Sequence, residues 1–136
     1  PRSKKFIENR QFQFHPLVRS MTPFGFSDYN CLQKNAYCVL SDSGTLSEES
    51  AMLDFPGVLI RTSTERPEVL DKGTVVVGGI KGSDVEQAVE LAVSMYRNRE
   101  QTVMPPDYED ENVSVKVVKI IQSYAKIVNL TVWNKF

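Results

Sequence analysis

Two polar segments carry residue types that bind phosphate groups, and the first is the strand–turn–helix of residues 38–53. It joins an apolar run to the turn SDSGT and then to a sequence with helical spacing. Such a turn presents backbone N–H groups at a helix start, where these donors and the helix dipole favour an anion. Gly44 lets the backbone approach a ligand without a Cβ, and the hydroxyls of Ser43 and Thr45 add donors. The segment predicts a site for an anion such as a diphosphate. The simpler alternative is that Ser43 or Thr45 only caps the helix.

The second polar segment, RTSTERPE at residues 61–68, follows the next predicted strand. Its two arginines, Arg61 and Arg66, offer forked and permanently charged donors that suit phosphate. Pro67 restricts the backbone beside Arg66 and would help to hold that side chain. Ligands in open α/β sheets lie beyond the carboxyl ends of the strands, so both segments favour one shared site. The alternative is a surface loop in which Arg66 is solvated.

Two further features could bind other parts of a nucleotide. Glu48 and Glu49 are adjacent in a predicted helix and therefore point in different directions. One can complement the helix dipole while the other accepts hydrogen bonds from a ribose diol, or both are simply solvated. The aromatic loop at residues 24–29, with Phe24 and Tyr29, could stack on a base, although aromatic residues there could also belong to the core.

Short apolar runs alternate with longer amphipathic ones, which predicts an α/β fold with a Rossmann-like parallel sheet flanked by helices. The expected strands are residues 17–23, 37–40, 58–60 and 74–77. One helix is expected to end at residues 6–9. Further helices are expected at residues 28–34 after an N-cap at Ser27, at 46–53, as a short helix near Pro67, after a capping box formed by Ser83 and Glu86, and at 112–128. Residues 101–107 are expected to form a loop.

The last predicted helix, residues 112–128, has an apolar stripe wider than one packing face requires. Two interpretations are equally consistent with that width. The helix either contacts two surfaces, one of them on a partner lobe, or is buried on a single sheet.

Composition excludes several classes of function. The chain has 136 residues with 16 basic and 17 acidic side chains, and a net charge of −1 argues against nucleic-acid or membrane-surface binding. No apolar run approaches the roughly 20 residues that span a bilayer. Cys31 and Cys38 are expected to be reduced, buried thiols of a cytosolic protein, and a single histidine, His15, makes a histidine-rich metal site improbable. Because Pro1 is not an initiator residue, a fragment of a longer chain is expected, the alternative being a processed product.

Residues 39–49 resemble the TDSGGxQEE segment of the non-hydrolysing UDP-N-acetylglucosamine 2-epimerases, and residues 64–68 resemble their TERPE segment at the matching spacing. Residues 24–68 are most similar to the branch that makes UDP-N-acetyl-L-fucosamine for capsule or O-antigen by epimerising UDP-2-acetamido-2,6-dideoxy-L-talose. The resemblance covers nearly the whole chain.

The resemblance implies a two-lobed, glycosyltransferase-B-like enzyme with its active site between two Rossmann-like lobes. Residues 1–136 correspond to most of the second, UDP-binding lobe, truncated at its amino-terminal side. The helix at residues 112–128 is then expected to contact the missing first lobe. A UDP-sugar substrate, a homo-oligomer and a cytoplasmic location are also implied, with no metal or other cofactor.

The family's binding residues are assigned here only to the positions of this sequence that match the family's motifs. Thr45 stands where many family members have a second glycine, which adds a side chain near the phosphates. The implied UDP-binding residues are Ser43, Gly44 and Thr45 for the diphosphate, Glu49 for the ribose hydroxyls, Arg66 for the nucleotide, and Phe24 and Tyr29 near the uracil.

The implied reaction inverts C2 of the sugar by elimination of UDP and its re-addition. No certain catalytic residue lies in this chain, because the carboxylates expected to move the C2 proton belong to the absent lobe, so the fragment alone is expected to be inactive. The alternatives are a lobe of a UDP-sugar-dependent glycosyltransferase and a non-catalytic nucleotide-binding module.

Overall fold

The computed structural model describes residues 2–100 and 103–135, and only the backbone of residues 2 and 3. Gln101 and Thr102, at the start of the predicted loop, lie outside the described residues. The chain divides into two compact units, Pro1–Asn30 and Cys31–Phe136. The helices are α1 (Arg2–Asn9), α2 (Phe26–Lys34), α3 (Leu46–Leu53), α4 (Pro67–Asp71), α5 (Gly82–Arg97) and α6 (Val113–Thr131), with a 3₁₀ turn at Pro106–Tyr108.

The larger unit is built on a parallel sheet, as the sequence predicts. Strands β1 (Val39–Ser41), β2 (Gly57–Leu59) and β3 (Val75–Val77) lie side by side in that order. All three residues of the central strand are buried. Because β1 and β2 are parallel neighbours, their carboxyl ends lie at the same edge of the sheet, and the loops that follow them begin there.

Alternation along β2 divides the core into two layers. Leu59 faces a cluster formed with Leu46 of α3 and Val69 of α4. Val58 points to the opposite face, where Ala88 and Ala92 of α5 pack against it. Helices on both faces of a parallel sheet are the Rossmann-like arrangement expected from the sequence.

The predicted strand at residues 17–23 is wrong. His15 and Val18 form a local turn instead, with the Val18 N–H donating to the His15 carbonyl at 2.8 Å. The Leu17 N–H donates to Nδ1 of His15 at 3.2 Å. No strand occurs among the described residues of Pro1–Asn30, so this segment has no ladder partner within its unit. Local hydrogen bonds replace the ladder, and Leu17 is 85% exposed.

Two predicted helix starts also differ from the structure. α2 begins at Phe26, one residue before the predicted cap at Ser27, and the Tyr29 N–H donates to the Gly25 carbonyl. α5 begins at Gly82, so Ser83 lies inside the helix. Its hydroxyl donates to the neighbouring Asp84 carboxylate, and α5 has no side-chain cap hydrogen bond at its start. The predicted capping box is therefore wrong.

The first strand and both cysteines are less buried than predicted. Leu40 in β1 is 47% exposed, because α5 packs on β2 and β3 and leaves this face of the edge strand uncovered. Cys31 and Cys38 are free thiols as expected, but Cys31 is exposed and Cys38 half-buried. Partial burial raises the pKa of the Cys38 thiol.

Helix α6 buries no residue of its own. Its apolar side chains are exposed along its length, so the interpretation that the helix is buried on one sheet is wrong. Within the described residues, no helix is long and apolar enough to cross a membrane.

Candidate functional site

The loop after β1 is ordered by its own hydroxyl groups. The Ser43 N–H donates to Oγ of Ser41 at 3.0 Å, and Oγ of Ser43 lies 2.9 Å from Oγ1 of Thr45. Thr45 occupies the cap position of α3 but makes no side-chain cap hydrogen bond. The capping alternative is therefore wrong for Thr45, whereas Oγ of Ser43 accepts a hydrogen bond from the Thr45 N–H at 3.4 Å at the start of the helix. The two hydroxyls pair with each other on an exposed turn, where a ligand can reach them.

The loops after β1 and β2 meet at Gly44. A Cβ at this glycine would stand 2.9 Å from Nη1 of Arg66 and 3.4 Å from its Cζ. The Arg66 guanidinium therefore lies directly against the SDSGT turn, and the absent side chain of Gly44 makes room for it. The structure brings together Ser43, Gly44, Thr45 and Arg66, as the positions of the two loops in the sheet predict.

Glu48 fixes the direction of that guanidinium. Nε of Arg66 donates to Oε1 of Glu48, and both side chains are less than one-third exposed. The hydrogen bond first, and then the charge of Glu48, raise the pKa of Arg66 and keep it cationic. Because Glu48 engages Nε, the terminal nitrogens of the guanidinium are left towards the turn. Arg66 is not the solvated side chain of the surface-loop alternative.

Glu49 has a different partner, as its position next to Glu48 predicts. Nε2 of Gln33 in α2 donates to Oε2 of Glu49 at 2.6 Å. Gln33 is only 3% exposed, although glutamine is rarely buried. Gln33 is not among the residues predicted from the sequence, because a polar side chain in a helix of mixed composition gives no signal of burial.

A second contact that the sequence does not predict holds the TERPE segment in place. The hydroxyl of Tyr108, in the 3₁₀ turn, donates to Oε1 of Glu68 at 2.9 Å. The Tyr108 ring packs against the core cluster around Leu59. Burial, followed by the hydrogen bond to Glu68, raises the pKa of Tyr108 to about 12. The phenol therefore stays neutral and keeps Glu68 at its place in α4.

Replacement of Tyr108 by phenylalanine is expected to change the alkaline stability profile. Folding raises the pKa of the phenol from 10.0 to about 12 and so favours its neutral form. Its contribution to the free energy of unfolding is therefore complete below pH 10 and is lost as the pH rises through about 12. The free energy of unfolding of the unaltered chain should therefore fall towards that of Tyr108→Phe over this interval. Urea unfolding of both chains at several pH values between 8 and 12 measures the difference, in which titration of Cys38 cancels. A constant difference across the interval would contradict the assignment.

The two aromatic candidates belong to the other unit, Pro1–Asn30. Phe24 lies in the loop before α2 and is 42% exposed, while Tyr29 lies within α2 and is 40% exposed. Phe26 is 82% exposed. The alternative that Phe24 or Phe26 belongs to the core is therefore wrong.

Comparison with known proteins identifies the family. The family model described as UDP-N-acetylglucosamine 2-epimerase matches residues 1–122. The chain belongs to this family.

Curated relatives agree with that assignment. The chain is 30% identical to a UDP-N-acetylglucosamine 2-epimerase of Methanococcus maripaludis over 88% of its own length and 36% of the relative's. It is also 30% identical to one from Methanocaldococcus jannaschii, over 72% of this chain and 28% of the relative. The chain thus spans about one-third of the length of the curated relatives it matches.

A solved structure extends the likeness to the fold. The UDP-N-acetylglucosamine 2-epimerase from Rickettsia bellii superposes with a TM-score of 0.82 and is 39% identical, over 99% of this chain and 38% of that one. The α/β architecture with a parallel sheet is therefore that of an epimerase of this family.

Proposed function

We propose that this chain is the UDP-binding lobe of a non-hydrolysing UDP-N-acetylhexosamine 2-epimerase. The observation that supports this most directly is the contact between the two loops. The guanidinium of Arg66 lies against Gly44, and the hydroxyls of Ser43 and Thr45, on either side of that glycine, pair with each other. A cation, a turn of hydroxyls and a helix start converge at one edge of a parallel sheet, an arrangement suited to a diphosphate.

The remaining binding residues have separate roles in the proposal. Glu49 is half-buried and accepts from the ribose hydroxyls. Phe24 and Tyr29 bind near the uracil. In the reaction, Ser43 and Arg66 stabilise the charge that develops on UDP as it leaves C1 of the sugar. Loss of the C2 proton and of UDP from C1 leaves a glycal; UDP then adds back to C1 while C2 receives a proton on the opposite face, so that C2 is inverted.

The substrate in this proposal is UDP-2-acetamido-2,6-dideoxy-L-talose, and the product serves capsule or surface-polysaccharide synthesis in the cytoplasm. A first lobe supplies the carboxylates that move the C2 proton, and the enzyme works as a homo-oligomer without a metal or other cofactor. The exposed apolar stripe of α6 is the surface that this first lobe covers. The family match supports an epimerase over the glycosyltransferase alternative.

Titration with UDP tests the proposal, with ADP as the matched control nucleotide. We expect selective amide shifts at Ser43, Glu49 and Arg66 with UDP, weaker ones with ADP, and no epimerase turnover by this chain alone. Ser43→Ala and Glu49→Ala should each lower the UDP affinity about tenfold, the usual effect of losing one hydrogen bond to a charged or hydroxyl group. A folded sample that shows no shifts at these residues, or equal shifts with both nucleotides, would contradict a uridine-nucleotide site.

A further inference from the structure

Gln33 is a buried polar residue whose only hydrogen-bonded side-chain partner among the described residues is Glu49. Its Nε2 donates to Oε2 of Glu49 at 2.6 Å, a short distance for an amide and a carboxylate. Gln33 belongs to α2 and Glu49 to the first turns of α3, so the bond joins residues of two helices, and both residues lie within Cys31–Phe136.

The other end of the same amide group is unsatisfied. Oε1 of Gln33 is buried and has no hydrogen-bond partner among the described residues. A buried acceptor without a donor costs free energy, and an apolar side chain of similar length would avoid that cost. What the amide contributes at this position is therefore its bond to Glu49.

That bond acts on the carboxylate in two ways. It stops rotation of the carboxylate about its last side-chain bond, and it engages Oε2, so that Oε1 stays available as an acceptor. A neutral amide does this without cancelling the negative charge, unlike the arginine that pairs with Glu48. A carboxylate fixed in advance loses less conformational freedom when it binds a ligand.

We propose that Gln33 is a positioning residue that holds the Glu49 carboxylate towards the hydroxyls of a ribose and thereby sets the preference for ribonucleotides over 2′-deoxyribonucleotides. This inference rests on the proposed function, since it takes Glu49 as the group that binds the ribose. Gln33 itself does not touch the nucleotide.

Calorimetric titration of the chain with UDP and with 2′-deoxy-UDP tests the role of Gln33. Gln33→Met keeps the length of the side chain and removes the donor. It is expected to weaken UDP binding about tenfold, the loss typical of one charge-assisted hydrogen bond. Binding of 2′-deoxy-UDP, which keeps only the 3′-hydroxyl, should weaken less, so the preference for the ribonucleotide falls. Gln33→Asn keeps an amide that is too short to reach Glu49 and should lower the preference as well.

Ser47→Ala is the matched control, because Ser47 is also a fully buried polar residue whose hydroxyl has no partner among the described residues. It should leave the affinities for both nucleotides unchanged. Equal weakening of both nucleotides in Gln33→Met would mean that Gln33 is merely structural, and an unchanged preference would also overturn the inference. Glu49→Ala separates the two proposals: if it leaves UDP binding intact, the proposed ribose contact fails, whatever Gln33 does.

Discussion

Arg66→Ala is expected to weaken UDP binding by roughly a hundredfold or more, the largest loss from any single change at the site. The substitution removes the cation that faces the SDSGT turn. It also leaves the Glu48 carboxylate without its partner. Oε2 of Glu48 is already buried with no hydrogen-bond partner among the described residues. A diphosphate would then meet an unbalanced negative charge in place of a positive one.

Arg66→Lys separates charge from geometry. A lysine keeps the positive charge but cannot donate to Glu48 and to a phosphate through one rigid fork, so we expect an intermediate affinity. Arg99→Ala is the matched control, because Arg99 is an exposed arginine that pairs with Asp54 at 3.4 Å and should not affect UDP. Calorimetric titration of folded samples measures the UDP affinity of Arg66→Ala, Arg66→Lys and Arg99→Ala. If Glu48→Ala weakened UDP binding as much as Arg66→Ala does, Arg66 would act only through its ion pair and not on the nucleotide.

Sequence patterns predicted correctly the helices that begin at a polar turn or at a proline. The helix at residues 46–53 follows a polar turn and carries acids in its first turn, and the structure has α3 at Leu46–Leu53. The short helix at Pro67 begins at that residue, because proline suits the first position of a helix. Since both segments follow neighbouring parallel strands, the meeting of Gly44 and Arg66 could also be inferred from order along the chain.

Patterns failed where the outcome depended on a distant partner. Residues 17–23 have strand-like composition, but a strand needs a neighbour, and the described part of Pro1–Asn30 supplies none. Ser83 and Glu86 have capping-box spacing, yet Asp84 takes the serine hydroxyl instead. A capping motif therefore predicts a cap only when the helix begins where the spacing requires, and α5 begins one residue before Ser83.

Two side chains that support the site were invisible for the same reason. Gln33 meets Glu49 across 16 residues, and Tyr108 meets Glu68 across 40. Each pair forms because the fold brings two helical segments together, and nothing in the local spacing of either residue marks it. Candidate ligand contacts could be inferred from the sequence, whereas the groups that hold them could be found only in the structure.

Gly78→Ala is expected to destabilise the fold by about 1–3 kcal/mol, the range for an extra methyl group in a packed core. A Cβ at Gly78 would stand 2.7 Å from Cγ1 of Val58 and 3.1 Å from Cβ of Ala88. Val58 is completely buried in the central strand, and χ1 of its branched side chain is restricted, so it cannot turn away cheaply. Relief would require α5 to move off the sheet.

Gly82→Ala provides the matched control, because the same methyl group there would meet nothing within 4 Å. Gly82 is the first residue of α5, so alanine should leave stability unchanged or raise it by up to about 1 kcal/mol. Urea unfolding of both variants gives the comparison. Val58→Ala combined with Gly78→Ala should cost less than the sum of the two separate losses, because the shorter side chain makes room for the new methyl group. If Gly78→Ala and Gly82→Ala had equal stabilities, the close packing of α5 on β2 and β3 would be contradicted. A large loss confined to Gly78→Ala would instead establish that this glycine sets the distance between the helix and the sheet that carries the candidate site.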